Sequence, residues 1–372
     1  VIAAVAAGLL SQEGRSLQTF SHAHPPEKDT ADVFPKDEKI FIEQVLQHAV
    51  IHDHWYITAA DRDILNALEE GLHIQGSLFQ QSLQVYSDAL YDQAGESGST
   101  ILLSGFGGDE GVTYQGAGFM NELTTERNYK QLWQEIDSRA SSNKLKKAKR
   151  FLALWTGREI PPVYRLISRL MPESYDWRKV KFENLALTSE AINKFDIAQR
   201  YFSRVRFPDD DSVKMRQYKR MTHAHVSQRL EYCYLAAAAR GLEYRYPLQD
   251  IRLQQFHLSV PASLKVKNGT GRYLYRRAVY DWVPETIRWR ADKSGATIPT
   301  VFARFERDYE HILQFLEANK DVAADLIDHQ QLRRWAENIH NRQQANDPNS
   351  INPPAFYHNL ATLMWLKERH YL

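Results

Sequence analysis

A single cysteine, Cys233, occurs in the 372 residues. No internal disulfide can form, every cysteine-rich zinc pattern is excluded, and a lone thiol fits a reducing cytosol, so the cytoplasm is the expected compartment. Long apolar runs are also missing. No stretch reaches the roughly 18 residues that a membrane-spanning helix needs, and the apolar opening at residues 1–10 has no initiating Met or basic region to mark a signal peptide. Charge of one sign is not in excess either: 47 Lys plus Arg face 46 Asp plus Glu. Such a chain has no net field to draw nucleic acid or an anionic membrane, and a small ligand or a peptide is the expected partner. Neither a Walker G-x-x-x-x-G-K-[ST] loop nor a G-x-S-x-G nucleophile elbow is present, and no internal repeat occurs. The pairs His22/His24, His52/His54 and His223/His225 are spaced by two, which aligns them on a strand but gives no third metal ligand.

What is present is the composition of an ordinary globular protein, 43% hydrophobic and 25% charged, long enough for one large or two smaller domains. Residues 1–10 read as a helix apolar nearly all round, of the kind buried against a sheet, whose partner strand is expected upstream of Val1. Strand-like segments at 16–24, 54–58 and 99–103 alternate with helical spacing at 40–49, 61–72 and 82–94. That alternation predicts βαβ units and a parallel sheet covered on both faces, with ligands at the carboxyl ends of its strands. From residue 128 onward the pattern is helical, broken at Pro161-Pro162, at 207–211 and at 346–354. The fold class is α/β, divided into an α/β portion at 1–127 and a helical portion at 128–372.

Three constellations can carry chemistry. The sharpest is Ser104-Gly105-Phe106-Gly107-Gly108-Asp109-Glu110-Gly111, placed where the strand at 99–103 stops. Its glycines let the backbone approach a ligand closely, and Asp109 and Glu110 offer oxygen ligands to a hard cation such as Mg²⁺. The alternative is a Gly-rich turn whose Asp caps the next helix. Glu110 stands where a dinucleotide fingerprint would need its last glycine. The second constellation begins with Arg229-Leu230-Glu231-Tyr232. It runs through Ala236 to Ala239 into Arg240-Gly241-Leu242-Glu243-Tyr244-Arg245-Tyr246-Pro247-Leu248-Gln249-Asp250. Its alanines permit close helix packing, Gly241 stops the helix, and Glu243 can pair with Arg245 in extended structure. Glu231 alone reads as a solvated or salt-bridged helix carboxylate. The third, Val283-Pro284-Glu285-Thr286-Ile287 running to Lys293, gathers cations that can neutralise phosphate charge or form a basic surface patch.

In this order and at these separations the three pieces resemble the synthetase domain of the asparagine synthetase family. That family carries S-G-x-G-[GS]-D-E after a strand, then R-G-x-E-x-R-x-P-x-x-D, then a lysine segment after L-P-x-x-[IV]. The resemblance spans nearly the whole chain. It implies an adenine-nucleotide α-hydrolase-like parallel sheet flanked by helices, with a largely α-helical C-terminal part. It further implies an ATP-dependent ligase that adenylates a carboxylate with ATP and Mg²⁺, releases pyrophosphate and lets an amine displace AMP to form an amide. The family's pyrophosphate loop S-G-G-x-D-S does not occur in this sequence. The resemblance places it just before Val1, so the chain as given is expected to bind ATP poorly, and it suggests a glutaminase-like domain or partner further upstream.

By position, the resemblance gives Ser104 and Gly105 to the adenylate and pyrophosphate, Asp109 to Mg²⁺, and Thr19, Phe20 and Ser21 to the adenine-contacting strand. It gives Lys293 to the α-phosphate and Glu231 to the base that takes a proton from the attacking amine. One departure bears on substrate. Asparagine synthetases carry a glutamate at the loop's third position, where Phe106 stands, and an apolar ring does no acid–base work. With the segment at 29–39, this makes the chain similar also to the asparagine-synthetase-like cyclases that close lasso peptides. A peptide macrocyclase and an inactive scaffold or binding module are therefore the alternatives to amide synthesis from ammonia.

Overall fold

The computed structural model describes residues 1–22, 38–58, 62–78, 82–138, 143–164, 182–204, 212–291, 300–341 and 353–369. Lys293, the break at 207–211 and most of the segments at 29–39 and 346–354 lie outside the described residues.

The first portion alternates as the periodicity predicts. Helix α1 (Ile2–Gln12) leads to β1 (Gln18–His22), α2 (Lys39–His48) to β2 (Asp53–Ile57), and α3 (Ile64–Gln75) with α4 (Ser82–Glu96) to β3 (Ile101–Leu103). Asp63 caps α3 by accepting from the Asn66 amide at 2.8 Å, and Gly76 closes it in the left-handed conformation that glycine adopts without strain. The strands pair in parallel, β1 with β2 and β3 with β4 (Glu243–Arg245). Among the described residues, however, they do not join into one sheet. They form two separate parallel pairs, and an antiparallel pair at Val266–Lys267 and Thr270–Gly271 makes a third.

Two expectations are corrected here. The strand after residue 99 is not enclosed on both faces: Ile101 and Leu103 are 44% and 39% exposed, because their side chains face a cavity rather than a covering layer. Helix α1 is not buried all round either. Only Ala4 and Ala7 are buried, and Leu9 is exposed.

Beyond residue 118 the described structure is almost wholly helical. It comprises α5 (Phe119–Thr125), α6 (Tyr129–Asp137), α7 (Lys144–Glu159), α8 (Val213–Met221), α9 (Ala224–Ala238), α10 (Ile251–Ser259), α11 (Thr300–Ala318), α12 (His329–His340) and α13 (Pro353–Arg369), with several short helices between. The largest core is built by α3 and α4 together with α11, α12 and α13, through Ile64, Leu68, Phe305, Leu332, Phe356 and Leu360. This core draws residues from both sides of residue 127. A smaller cluster of Tyr91, Tyr232, Cys233, Ala236, Ala237 and Leu242, with Phe20, Leu102 and Tyr244 against it, fastens the strands to α4 and α9. The alanine run does what close packing requires: small side chains let α9 approach α4 and β4. Arg240, at the end of that run, is held by Asp92 at 2.6 Å and Glu70 at 2.9 Å. Burial alone would lower its pKa, and the two carboxylates raise it.

Candidate functional site

The two parallel pairs are tied at one end by Gln18, whose side-chain oxygen accepts from Ser97 Oγ at 3.1 Å and Ser99 Oγ at 2.9 Å. Between them opens a cavity of about 960 Å³, lined by β1, β3, the loop that follows β3, and residues of α1 and α2. Ligands of parallel sheets sit beyond the carboxyl ends of the strands, and this cavity reaches that position on both β1 and β3.

The loop departs from β3 under control. Ser104 prolongs the pairing by one residue, its amide donating to the Arg245 carbonyl at 2.9 Å, while its hydroxyl accepts from the Phe106 amide at 3.1 Å. The chain then coils through successive turns, with Gly111 N donating to Gly107 O and Thr113 N to Gly108 O. Two glycines have different reasons. Gly107 has φ of +87° and any Cβ there would overlap the Gln249 side chain, so the protein itself demands glycine. A Cβ on Gly105 would meet nothing within 4 Å. Gly105 lines the cavity, so a reason for glycine at this position comes from what enters it.

Asp109 lies in a succession of turns and caps no helix, since the next described helix begins at Phe119. Its carboxylate is ion-paired with Arg272 and accepts from Thr113 Oγ1 at 3.3 Å. Glu110 is buried and belongs to the protein, facing His225 Nε2 at 3.4 Å and Arg220 Nε at 3.8 Å. The His225 hydrogen bond holds its carboxyl below the usual range. Among the described residues no three carboxylate, His or Cys side chains form a metal cluster. Mg²⁺ needs no such cage, since one or two carboxylates with substrate phosphates suffice, and Asp109 on the cavity wall fits that mode.

Six of the eight residues singled out in the sequence meet at this one cavity: Thr19, Phe20, Ser21, Ser104, Gly105 and Asp109. Thr19 Oγ1 donates to the Asp53 carbonyl and is 2.8 Å from His54 Nδ1, while Phe20 stacks on Trp55 at 5.3 Å. Glu231 is not brought there. It is exposed on α9 and is not among the cavity-lining residues. Arg229 does line the cavity, and helix geometry turns Glu231 roughly 200° away from it. Lys293 lies outside the described residues.

The structure adds two features that sequence reasoning did not assign. Arg229 lies 4.6 Å over the Phe106 ring, and Phe106 meets Tyr246 edge-on at 6.3 Å. Beneath the loop a buried polar chain pins Gly111: the Gln217 side-chain amide donates to the Gly111 carbonyl at 3.0 Å and lies 2.9 Å from His257 Nδ1. Lys265 Nζ donates to Gln217 Oε1 at 2.7 Å. Burial, reinforced by Lys214, pushes Lys265 down to about 8 against the pull of Glu122, and burial with Lys265 pushes His257 down to about 4. No local motif marks these three residues, which come from separate helices.

Comparison with known proteins supports the family resemblance. The family model described as asparagine synthase matches residues 1–367. A segment of 56 residues, 14% of this chain, is 45% identical to "Asparagine synthetase [glutamine-hydrolyzing]" of Gallus gallus, and the match covers 10% of that protein. With a match running over nearly its whole length, from the helix before β1 through α13, the chain belongs to the asparagine synthase family.

Proposed function

We propose that this chain is the synthetase part of an ATP-dependent amide-forming ligase, acting through an acyl-adenylate. The observation that carries the reading is the convergence of Thr19–Ser21 and Ser104–Asp109 on one cavity beyond parallel strand ends, although more than 80 residues separate them. In this reading the sheet is of the adenine-nucleotide α-hydrolase type. A carboxylate oxygen of the substrate attacks the α-phosphorus of ATP, and the bond to the β-phosphate breaks as pyrophosphate leaves. An amine or ammonia then attacks the acyl carbon, AMP departs, and the amine's proton passes to a base.

The chain's own residues have defined tasks in that sequence. β1 presents backbone and Phe20 to the adenine, while Ser104 and the open Gly105 let the phosphates approach the loop. The aromatic rings of Phe106 and Tyr244 on the cavity wall would keep water from the activated acyl group. Asp109 would hold Mg²⁺, which when bound supplies positive charge to the phosphates, and the ion pair with Arg272 orients that carboxylate beforehand. Lys293 is assigned to the charge that grows on the α-phosphate, whereas Glu231, exposed and outside the cavity, takes no part in this reading. A pyrophosphate-gripping loop is assigned to a segment outside these 372 residues, and glutamine, through a further domain or partner, to the nitrogen supply. Among the described residues no helix is long and apolar enough to cross a membrane, and a cytoplasmic location is part of the proposal.

The apolar Phe106 on the cavity wall favours a second reading, a macrocyclase that joins a side-chain carboxylate to a peptide's own amine. ATP–pyrophosphate exchange with the full-length protein separates these readings. Exchange with aspartate supports amide synthesis and exchange only with a peptide supports macrocyclisation; no exchange with either sinks the ligase reading and leaves a scaffold.

A further inference from the structure

Two guanidinium groups line the cavity, and they are in different states. Arg290 is occupied by the protein: it donates to Glu38 at 2.8 Å and lies 4.0 Å over Phe41. Arg229 has no carboxylate partner among the described residues. Its contact is the face of Phe106, and its Nε is enclosed without any hydrogen-bond partner. An enclosed guanidinium donor left unpaired is costly, and on the wall of an open cavity a ligand can complete it. The acids nearby cannot complete it, since Asp109 is committed to Arg272, and Glu110 to His225 and Arg220.

We propose that Arg229 is a specificity-determining residue that binds a carboxylate of the substrate other than the one being activated. This rests on the ligase reading of the same cavity. Phe106 covers one face of the guanidinium, so its N–H donors are offered at the edge, in the plane, where a planar carboxylate accepts two parallel hydrogen bonds. The aromatic wall of Phe106, Tyr246 and Tyr244 beside it also excludes water, and the pair gains strength in that low-dielectric setting. The phosphates are assigned to Ser104, Gly105 and Asp109, which leaves the guanidinium over Phe106 for another anionic group. The third loop position therefore acts indirectly, with Phe106 as the platform that holds the anchoring cation.

The test uses succinate and butyrate, four-carbon acids with two carboxylates and one, titrated calorimetrically into the full-length protein and its Arg229→Gln and Arg229→Lys variants. ATP is titrated into the same samples. The wild type should prefer succinate by about tenfold or more. Arg229→Gln should lose that preference, Arg229→Lys should keep part of it, and ATP affinity should stay within about twofold. Melting temperatures should change little, since among the described residues Arg229 has no ion pair to lose and only its contact with Phe106 is altered. Equal affinity of the wild type for both acids overturns the proposal, and so does a fall in ATP affinity in Arg229→Gln, which would return the cation to the phosphates. The ligase reading is judged separately by ATP–pyrophosphate exchange: its absence beside an intact succinate preference would sink that reading and leave Arg229 as the carboxylate anchor.

Discussion

Two arginines divide the molecule into a region completed by its own side chains and a region completed by something else. Arg304, wholly buried in the helical core, spends every donor within the protein. It grips Asp88 with both ends of its fork, at 3.1 and 3.3 Å, and donates to the carbonyls of Val85, Arg62 and Asp63. Burial pushes the Asp88 carboxyl up, and Arg304 opposes it. Arg229, at the cavity, has an aromatic face beneath it and an enclosed Nε with no partner. The same side chain thus clamps α11 to α3 and α4 in one place and lines an open cavity in the other. The contrast is between a cation whose donors the fold uses up and one that the fold leaves facing a cavity.

The largest effect that would break this comparison lies in the core. Arg304→Met should cost about 3–5 kcal/mol, because it strands a buried carboxylate, and the double variant with Asp88→Leu should recover part of the loss. Urea denaturation of both variants measures this, and a mild single-variant effect would show that Asp88 finds another partner. Next in size is acid sensitivity. His22 on β1, lowered by burial and then by Arg304, and His257 beneath the loop both have folded values of about 4, below the ordinary 6.5. The unfolded state therefore binds more protons between these values, and stability present above pH 6.5 is lost as pH falls toward 4. For each histidine the loss is up to about 3 kcal/mol. His257→Gln should flatten its share of that acid limb, as followed by denaturation midpoints from pH 7 to 4; an unaltered limb would mean that the loop side contributes nothing.

Smaller effects sharpen the boundary within the loop. Gly107→Val should cost about 1–3 kcal/mol through its positive φ and the overlap with Gln249. Gly105→Ala should leave the melting temperature unchanged and raise the KM for ATP, since space there is free of protein. If both variants lose stability alike, the distinction between a glycine for the fold and a glycine for the ligand fails. Smallest of all should be Glu231→Gln. Exposed and outside the cavity, it should shift stability by no more than about 0.5 kcal/mol and leave ATP–pyrophosphate exchange intact. A large fall in exchange would place Glu231 in the first half-reaction, against its position on α9.

The alternation of strands and helices at residues 16–103 was legible because period-two and period-3.6 patterns follow from local backbone geometry. The division of labour in the Ser104–Glu110 loop was legible only in part. Its glycines announced a close approach, but Asp109 and Glu110 look alike in sequence and differ in space, one on a cavity wall with Arg272 and the other buried against His225. The pairing of Glu243 with Arg245 was readable because strand neighbours two apart share a face, and it forms at 2.8 Å. Glu231 stood out by its offset from Gly241, yet an offset along the chain fixes no direction around a helix until packing does.

By itself the sequence determined the family, the order of elements and the residue types available for phosphate, cation and acyl chemistry, since these are carried by motifs and by short-range periodicity. Only the tertiary structure decided that the parallel strands stand as two pairs around a cavity and that the helices of both portions share one core. It also decided that Arg229, rather than its neighbour Glu231, reaches the site. These depend on which faces pack against which, and contacts between residues far apart in sequence are settled by burial and steric fit rather than by any local pattern.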